Sequence, residues 1–564
     1  MAGVLTRSIN HNKQAHKLIK ATVVNGGRQA SRFLSSSGFP FLNLGSTPPQ
    51  AHAHAASPSA AATQHAYAAQ FLAAASASGS AKFLQPRQRT ATASAVDATP
   101  LPTFPCEKSA VDRIFQQQTA TGRERAFAVN DVGVVERQHS RWVRQLPSVR
   151  PFYAVKCNPD PTLCRTLAGL GTGFDCASGE EMALVLGMGV IPSDIIFANP
   201  IKSAKDLKYA RAQGVKKMTF DNEAELYKIK EAFPEAELVL RLLADDSGSK
   251  MKFGVKFGAP QQHVVPLLKT AKALGLKVIG TSFHIGSGCF DAQSYRKAIA
   301  LSRSVYDQAL RLGLPKFTLM DIGGGFPGNP NENQRNADGT PAFEDMAAVI
   351  RDASKEHFPA ELGVEIIGEP GRYMATAWST LFVLVQGKRE EPRAVDADAS
   401  SKRRFLYYIN DGVYGSFNCI MFDHAHPEPI PAYRFMEDKV SLDRRFSAQR
   451  EAARSPYLSA AATAVPSLST VGLGLGESPM LQSSRAFHST FGRDASCVGT
   501  FFGPTCDSMD VVATDFPVEE LFVGDWLAFA HSGAYTSAAA TTFNGMPKPT
   551  AHYCRSRQPS PTAA

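Results

Sequence analysis

Between about residues 150 and 375 the chain repeats one pattern eight times: a short apolar run rich in Val, Ile and Phe, then a stretch with helical periodicity. The runs are PFYAV before Lys156, the run into FDCAS around Asp175, DIIFANP at 194, MTFDN at 218, ELVLRLL at 237, KVIGTSFHIG at 277, KFTLMDIGGG at 316 and VEIIGEPGR at 364. Eight strand–helix units over about 225 residues match a (β/α)8 barrel in number and length. Each run finishes in a polar or glycine residue: Lys156, Asp175, Asn199, Asp221, Arg241, His284, Gly323 to Gly325, and Glu369. A barrel gathers its chemistry at the C-terminal ends of its strands, so these residues are expected to face one shared mouth.

This predicts an α/β chain with the barrel at 131–378. Beyond 379 the runs LFVLVQG, RFLYYIND and LFVGDWLAFA, separated by Gly and Asp turns, predict a mostly antiparallel β domain over 379–564, with 97–130 contributing to it. Its stretch at about 440–496 is small, polar and without periodicity, and is expected to be a disordered insertion. Residues 1–96 hold nine Lys/Arg and no acid, with an Ala/Ser/His-rich tract from about 51 to 81, and are expected to be a disordered leader. A mitochondrial transit peptide is the alternative for that leader; otherwise a cytoplasmic location is expected. The formal charge of +9 resides there, for the rest of the chain balances 51 basic against 51 acidic residues. No nucleic-acid surface is therefore expected on the folded part. No stretch approaches the roughly 18 uninterrupted apolar residues of a membrane span, so a soluble protein is expected. The nine cysteines, odd in number and scattered, suit free thiols in a reducing compartment.

Lys156 ends an apolar strand, where a partly desolvated amine is expected to have a lowered pKa suited to Schiff-base formation; the plain alternative is a surface lysine. Gly323-Gly324-Gly325 follows the seventh strand and Arg372 the eighth, the usual phosphate position of such barrels, although a tight turn without a ligand would use the same glycines. Glu369 could keep a pyridine nitrogen protonated or merely pair with Arg372, and His284 could lie against a ring or be a satisfied structural histidine. A lysine for an aldehyde, glycines and arginine for a phosphate and a carboxylate for a ring nitrogen are together the needs of pyridoxal 5′-phosphate. A metal centre at Asp423, His424 and His426 lacks further ligands at standard spacing.

The motifs PFYAVKCNPD, FDCAS, SFHIGSGC, DIGGGFPG, EPGRY, INDGVYGSFNCIMFDHAH, GPTCDSMD and GAYTSAAATTFNG stand in order from 151 to 545, within a likeness that runs from about 106 to 553 apart from the insertion. On these the chain resembles the eukaryotic ornithine decarboxylases, of the alanine-racemase-like group of pyridoxal-phosphate enzymes. The resemblance implies decarboxylation of L-ornithine to putrescine and CO2, the entry step of polyamine biosynthesis. It implies that Lys156 carries the cofactor, Glu369 pairs with the pyridine nitrogen and His284 stacks on the ring. Ser287, Gly323 to Gly325, Arg372 and Tyr535 would surround the phosphate, with Asp175 and Arg241 lining the cofactor. Asp423 and Asp507 would face the distal ammonium of ornithine with Tyr414 nearby, and Cys506 would return a proton to the α-carbon. A homodimer with active sites shared between subunits is implied, and the basic helical region from Ala204 to Lys228 suggests an antizyme-binding surface. Ser508-Met509, Met374 and the insertion depart from the family's pattern. The alternatives are a catalytically silent protein like the antizyme inhibitors, or a lysine, arginine or diaminopimelate decarboxylase.

Overall fold

The structure, a computed structural model, describes residues 101–105, 107–336, 339–392, 402–435 and 496–557. The leader expected at 1–96 lies outside the described residues, as does nearly all of the insertion expected at 440–496.

All eight apolar runs are strands of one closed parallel barrel: Val149–Ala154, Gly173–Cys176, Ile195–Phe197, Lys217–Phe220, Glu237–Arg241, Lys277–Ser282, Leu319–Asp321 and Glu365–Gly368. The eighth closes on the first, with Ile366 opposite Val149. Alternation along the strands divides the apolar side chains into two cores, because successive residues point to opposite faces of a sheet. Phe152, Ile196, Ala198, Val239, Ile279, Leu319 and Ile367 form one cluster, while Tyr153, Phe174, Phe197, Met218, Leu238, Leu240 and Met320 join a second, far larger one. Helices follow the strands where the sequence supplies caps. Ser178, Ser203 and Asn222 accept from the backbone N–H groups of Glu181, Asp206 and Glu225 at 3.2, 3.0 and 3.0 Å.

A nine-stranded sheet accompanies the barrel. Phe127–Asp131, just before the barrel, pairs antiparallel with Ser379–Glu390, just after it, and parallel with Thr550–Ser556. Among the described strands five of the eight pairings of this sheet are antiparallel, so its pattern is mixed. The parallel pairing of Arg403–Ile409 with Cys497–Phe502 needs the long intervening chain, since only a long connection returns a strand in the same direction.

Lys202, in the loop after the third barrel strand, is fully buried. Its Nζ donates to the carbonyls of Thr219, Asn199 and Pro200 at 2.6, 3.1 and 3.3 Å and lies 2.9 Å from Glu225 Oε1. Burial pushes its pKa down to about 8, against the opposing pull of Glu225. Removing one partner of a buried pair strands the other's polar groups. Lys202→Met is therefore expected to cost about 3 kcal/mol of stability, with part of the loss recovered when Glu225→Leu is added. Urea denaturation midpoints check this, and a single variant as stable as the parent chain would refute it.

Candidate active site

Lys156 sits in the single turn Val155–Cys157 that follows the first barrel strand, with its side chain half exposed. Its Nζ lies 3.1 Å from Oδ2 of Asp175, a residue of the second strand that is almost fully buried. Here the expectation of a lowered pKa is corrected. Burial does disfavour the ammonium, but Asp175, Glu369 and Tyr535 outweigh it and hold Lys156 above the ordinary lysine range. The position of a lysine at a strand end was legible; the two carboxylates that fix its charge are not its neighbours in sequence.

Glu369, just past the eighth strand, is buried, and burial together with the Asp321 and Asp175 carboxylates raises its pKa far above the usual carboxylate range. Its carboxyl meets that of Asp321, the last residue of the seventh strand, whose own pKa is pushed up to about 6 mainly by burial. Two buried carboxyls in contact share a proton more readily than they hold two charges. Asp321 also accepts from the Gly323 N–H at 2.9 Å, which shapes the glycine turn. Sequence reasoning passed over Asp321, although it obeys the same rule of polar residues at strand ends. Among the described residues, Asp175 Oδ1 and Asp321 Oδ2 are buried without a hydrogen-bond donor.

His284 follows the sixth strand. Its Nδ1 accepts the Gly286 N–H at 3.0 Å, so the proton of the neutral ring is assigned to Nε2. Burial, Arg241 and Lys156 in turn drive its pKa well below the ordinary histidine value, so the imidazole is neutral. Phe253 meets it edge-on, 4.9 Å between centroids. Arg241, at the end of the fifth strand, lies 5.2 Å over the ring of Phe257.

Gly323 and Gly325 have φ of +65° and +107°, and a Cβ on either would lie 2.1 Å from Phe283 O or 2.5 Å from Gly286 O. A Cβ on Gly324 would lie 2.9 Å from His284 Nε2. The triplet is thus required by the packing of the mouth itself as well as by any anion. Gly324 O accepts from Tyr295 Oη at 3.0 Å, whereas among the described residues the N–H groups of Gly324 and Gly325 find no acceptor. Arg372 donates to Ser287 Oγ at 3.2 Å and lies 5.1 Å over the ring of Tyr535. Its guanidinium also grips Asp423 with both ends, at 2.7 and 2.5 Å. Tyr535, at φ +54°, is fixed by its N–H bond to the carbonyl of Cys157, next to Lys156, at 2.9 Å.

The remaining candidates form a second cluster in the sheet region. Tyr414 Oη donates to Asp507 Oδ2, and its ring lies 4.4 Å from that of Phe543. Asp507 accepts the Met509 N–H at 3.0 Å, and this bond, then Tyr414, lowers its pKa. The Cys506 N–H donates to Asn544 Oδ1 at 3.1 Å. Of the eight described cysteines Cys506 alone is exposed. None of these hydrogen bonds reaches the barrel mouth of the same chain.

Residues 132–376 match the family profile described as pyridoxal-dependent decarboxylase, pyridoxal binding domain, and residues 478–533 that described as pyridoxal-dependent decarboxylase, C-terminal sheet domain. The chain is 39% identical over 454 residues to the ornithine decarboxylase of Mus pahari, covering 80% of this chain and 85% of the relative. It is 41% identical over 449 residues to antizyme inhibitor 2 of Xenopus laevis, covering 79% and 85%. Among solved structures, the arginine decarboxylase of Paramecium bursaria Chlorella virus aligns with a TM-score of 0.62 and 31% identity, over 78% of this chain and all of that one.

Proposed function

Because the chain belongs to the pyridoxal-dependent decarboxylases, we propose that it removes CO2 from L-ornithine to leave putrescine. The cofactor is pyridoxal 5′-phosphate, and the residues at the mouth fit it. Two unpaired glycine N–H groups, Arg372 and Ser287 suit the phosphate. The Glu369–Asp321 pair holds a proton for a ring nitrogen, and an oxygen of Asp175 that has no donor among the described residues is open to a polar partner. When bound, pyridoxal phosphate supplies an electron sink for the charge left as CO2 departs. Lys156 would supply the amine that holds the aldehyde, and the neutral ring of His284 would lie beside the cofactor without adding a cation. Cys506 holds the proton to be returned to the α-carbon.

The observation that carries the enzymatic reading is the Lys156–Asp175 ion pair at a mouth that also keeps Glu369, His284, the glycine triplet and Arg372; a silent protein has no use for that set. Ornithine is favoured because the groups assigned to its far end, Asp423, Asp507 and Tyr414, are two acids and a phenol. A second substrate carboxylate, as in diaminopimelate, would be repelled. The Tyr414–Cys506–Asp507 cluster serves the barrel mouth of a second copy. Its independence from its own mouth and the exposed Met509 and Phe543 beside it support that reading.

The test is CO2 release from ornithine, lysine, arginine and diaminopimelate, with and without added cofactor, together with the visible absorption of the purified chain. Ornithine should turn over fastest, with lysine a slower side substrate, since one methylene is worth only about 1–3 kcal/mol. A colourless protein that releases no CO2 would instead match the antizyme inhibitor to which the chain is equally similar.

Asp423→Asn and Asp507→Asn are each expected to raise KM for ornithine about 10- to 100-fold, the worth of one charged hydrogen bond. Cofactor affinity should hold, because Asp423→Asn also frees Arg372 from its internal partner. An unchanged KM in both variants would defeat this placement.

A further inference from the structure

The phosphate end of the mouth is braced from behind by two side chains that no reading of the mouth includes. Gln138 and Arg141 lie one turn apart on the helix Val132–Gln145, outside the barrel, and both are buried. Arg141 grips Glu344 with two bonds, Nε to Oε1 at 2.7 Å and Nη2 to Oε2 at 2.8 Å. Its Nη1 donates to the carbonyl of Asn329 at 2.8 Å, and Nη2 to that of Asn331 at 3.1 Å. Its guanidinium also lies 5.4 Å from the ring of Phe343 and 5.9 Å from that of Tyr373. Gln138 Nε2 donates to the carbonyl of Tyr373 at 3.1 Å, while Tyr373 Oη returns a bond to the Gln138 carbonyl at 3.0 Å.

These acceptors belong to the two loops that carry the phosphate candidates. Asn329 and Asn331 follow Gly323 to Gly325 in the loop after the seventh strand, and Tyr373 follows Arg372 after the eighth. The two loops are distant in sequence, yet two residues one turn apart on one helix hold both. A buried cation is costly unless its donors are all engaged, and an apolar residue of the same size would leave the two loop carbonyls without a donor. Lysine, a point donor, cannot span a carboxylate and two carbonyls at once; only the planar fork of arginine does so.

We propose that Arg141 and Gln138 are positioning residues for cofactor phosphate, fixing the glycine turn and Arg372 at the spacing that one phosphate bridges. The proposal rests on the reading that the phosphate binds there. The experiment compares dissociation constants of pyridoxal phosphate and of pyridoxal, which lacks the phosphate, on full-length chain stripped of cofactor, by absorption and fluorescence titration. Variants are Arg141→Lys, which keeps the charge, and Gln138→Met, which leaves the Arg141–Glu344 pair intact and guards against a folding failure of the first. In Arg141→Lys the dissociation constant for pyridoxal phosphate should rise at least tenfold while that for pyridoxal stays within twofold; Gln138→Met should move the same ratio in the same direction by less.

Equal weakening of both ligands would reduce the two residues to general scaffold and overturn the proposal. So would variants that discriminate as well as the parent chain. A parent chain with no preference for pyridoxal phosphate over pyridoxal would instead sink the phosphate reading itself, and the proposal with it.

Discussion

Lys156→Ala protein should release CO2 from ornithine at least about a thousandfold more slowly than the parent chain, since the covalent attachment through this residue is lost. Borohydride reduction of the cofactor-loaded parent, followed by peptide mapping, should label Lys156, and label on any other residue would sink the assignment. The ion pair with Asp175 dictates the control. Alanine leaves a buried carboxylate without its cation and so lowers stability as well as activity. Lys156→Arg keeps a cation beside Asp175, so it should stay folded and yet take up no label. The same ion pair sets a pH dependence. Asp175 and Glu369 hold the Lys156 ammonium above the ordinary range, so the free amine needed for attachment grows about tenfold per pH unit. Uptake of the cofactor by the stripped chain should therefore quicken as pH rises.

The second large effect is a recovery. Lys156→Ala and Cys506→Ala chains are expected to be nearly dead alone, and a freely exchanging equal mixture should regain roughly a quarter of the parent activity. About half the dimers are then mixed, and each has one mouth in which Lys156 meets the partner's Cys506 with both residues intact. The physical ground is that, among the described residues, none of the hydrogen bonds of the Cys506 cluster reaches the mouth of its own chain. Lys156 bonds to Asp175 at the mouth, while the Cys506 loop is tied to Asn544 and, through Asp507, to Tyr414. Sites built within single chains would recover nothing, so a mixture as inactive as its components, once subunit exchange is verified, would refute the shared site.

The barrel was legible in the sequence because each of its units is local. An apolar run of strand length, a polar residue at its end and a cap such as Ser178 or Asn222 all lie within a few consecutive positions. The count of eight then fixed closure, and closure gathered Lys156, Asp175, Arg241, His284 and Glu369 at one end. The mixed pairing of the second sheet was not legible, because strand direction there depends on a connection whose length says nothing of its path.

What tertiary structure alone decided is the charge and orientation of those groups. Lys156 is an ammonium and not a free amine because Asp175 and Glu369 approach from other strands. Glu369 shares a proton because Asp321 is buried against it. Arg372 grips Asp423, 51 positions away, and Arg141 reaches the carbonyl of Asn329 across 188. Coulomb energies and hydrogen bonds depend on distances of a few ångströms in space. Sequence periodicity fixes which face a residue takes, but not which distant side chain it meets there.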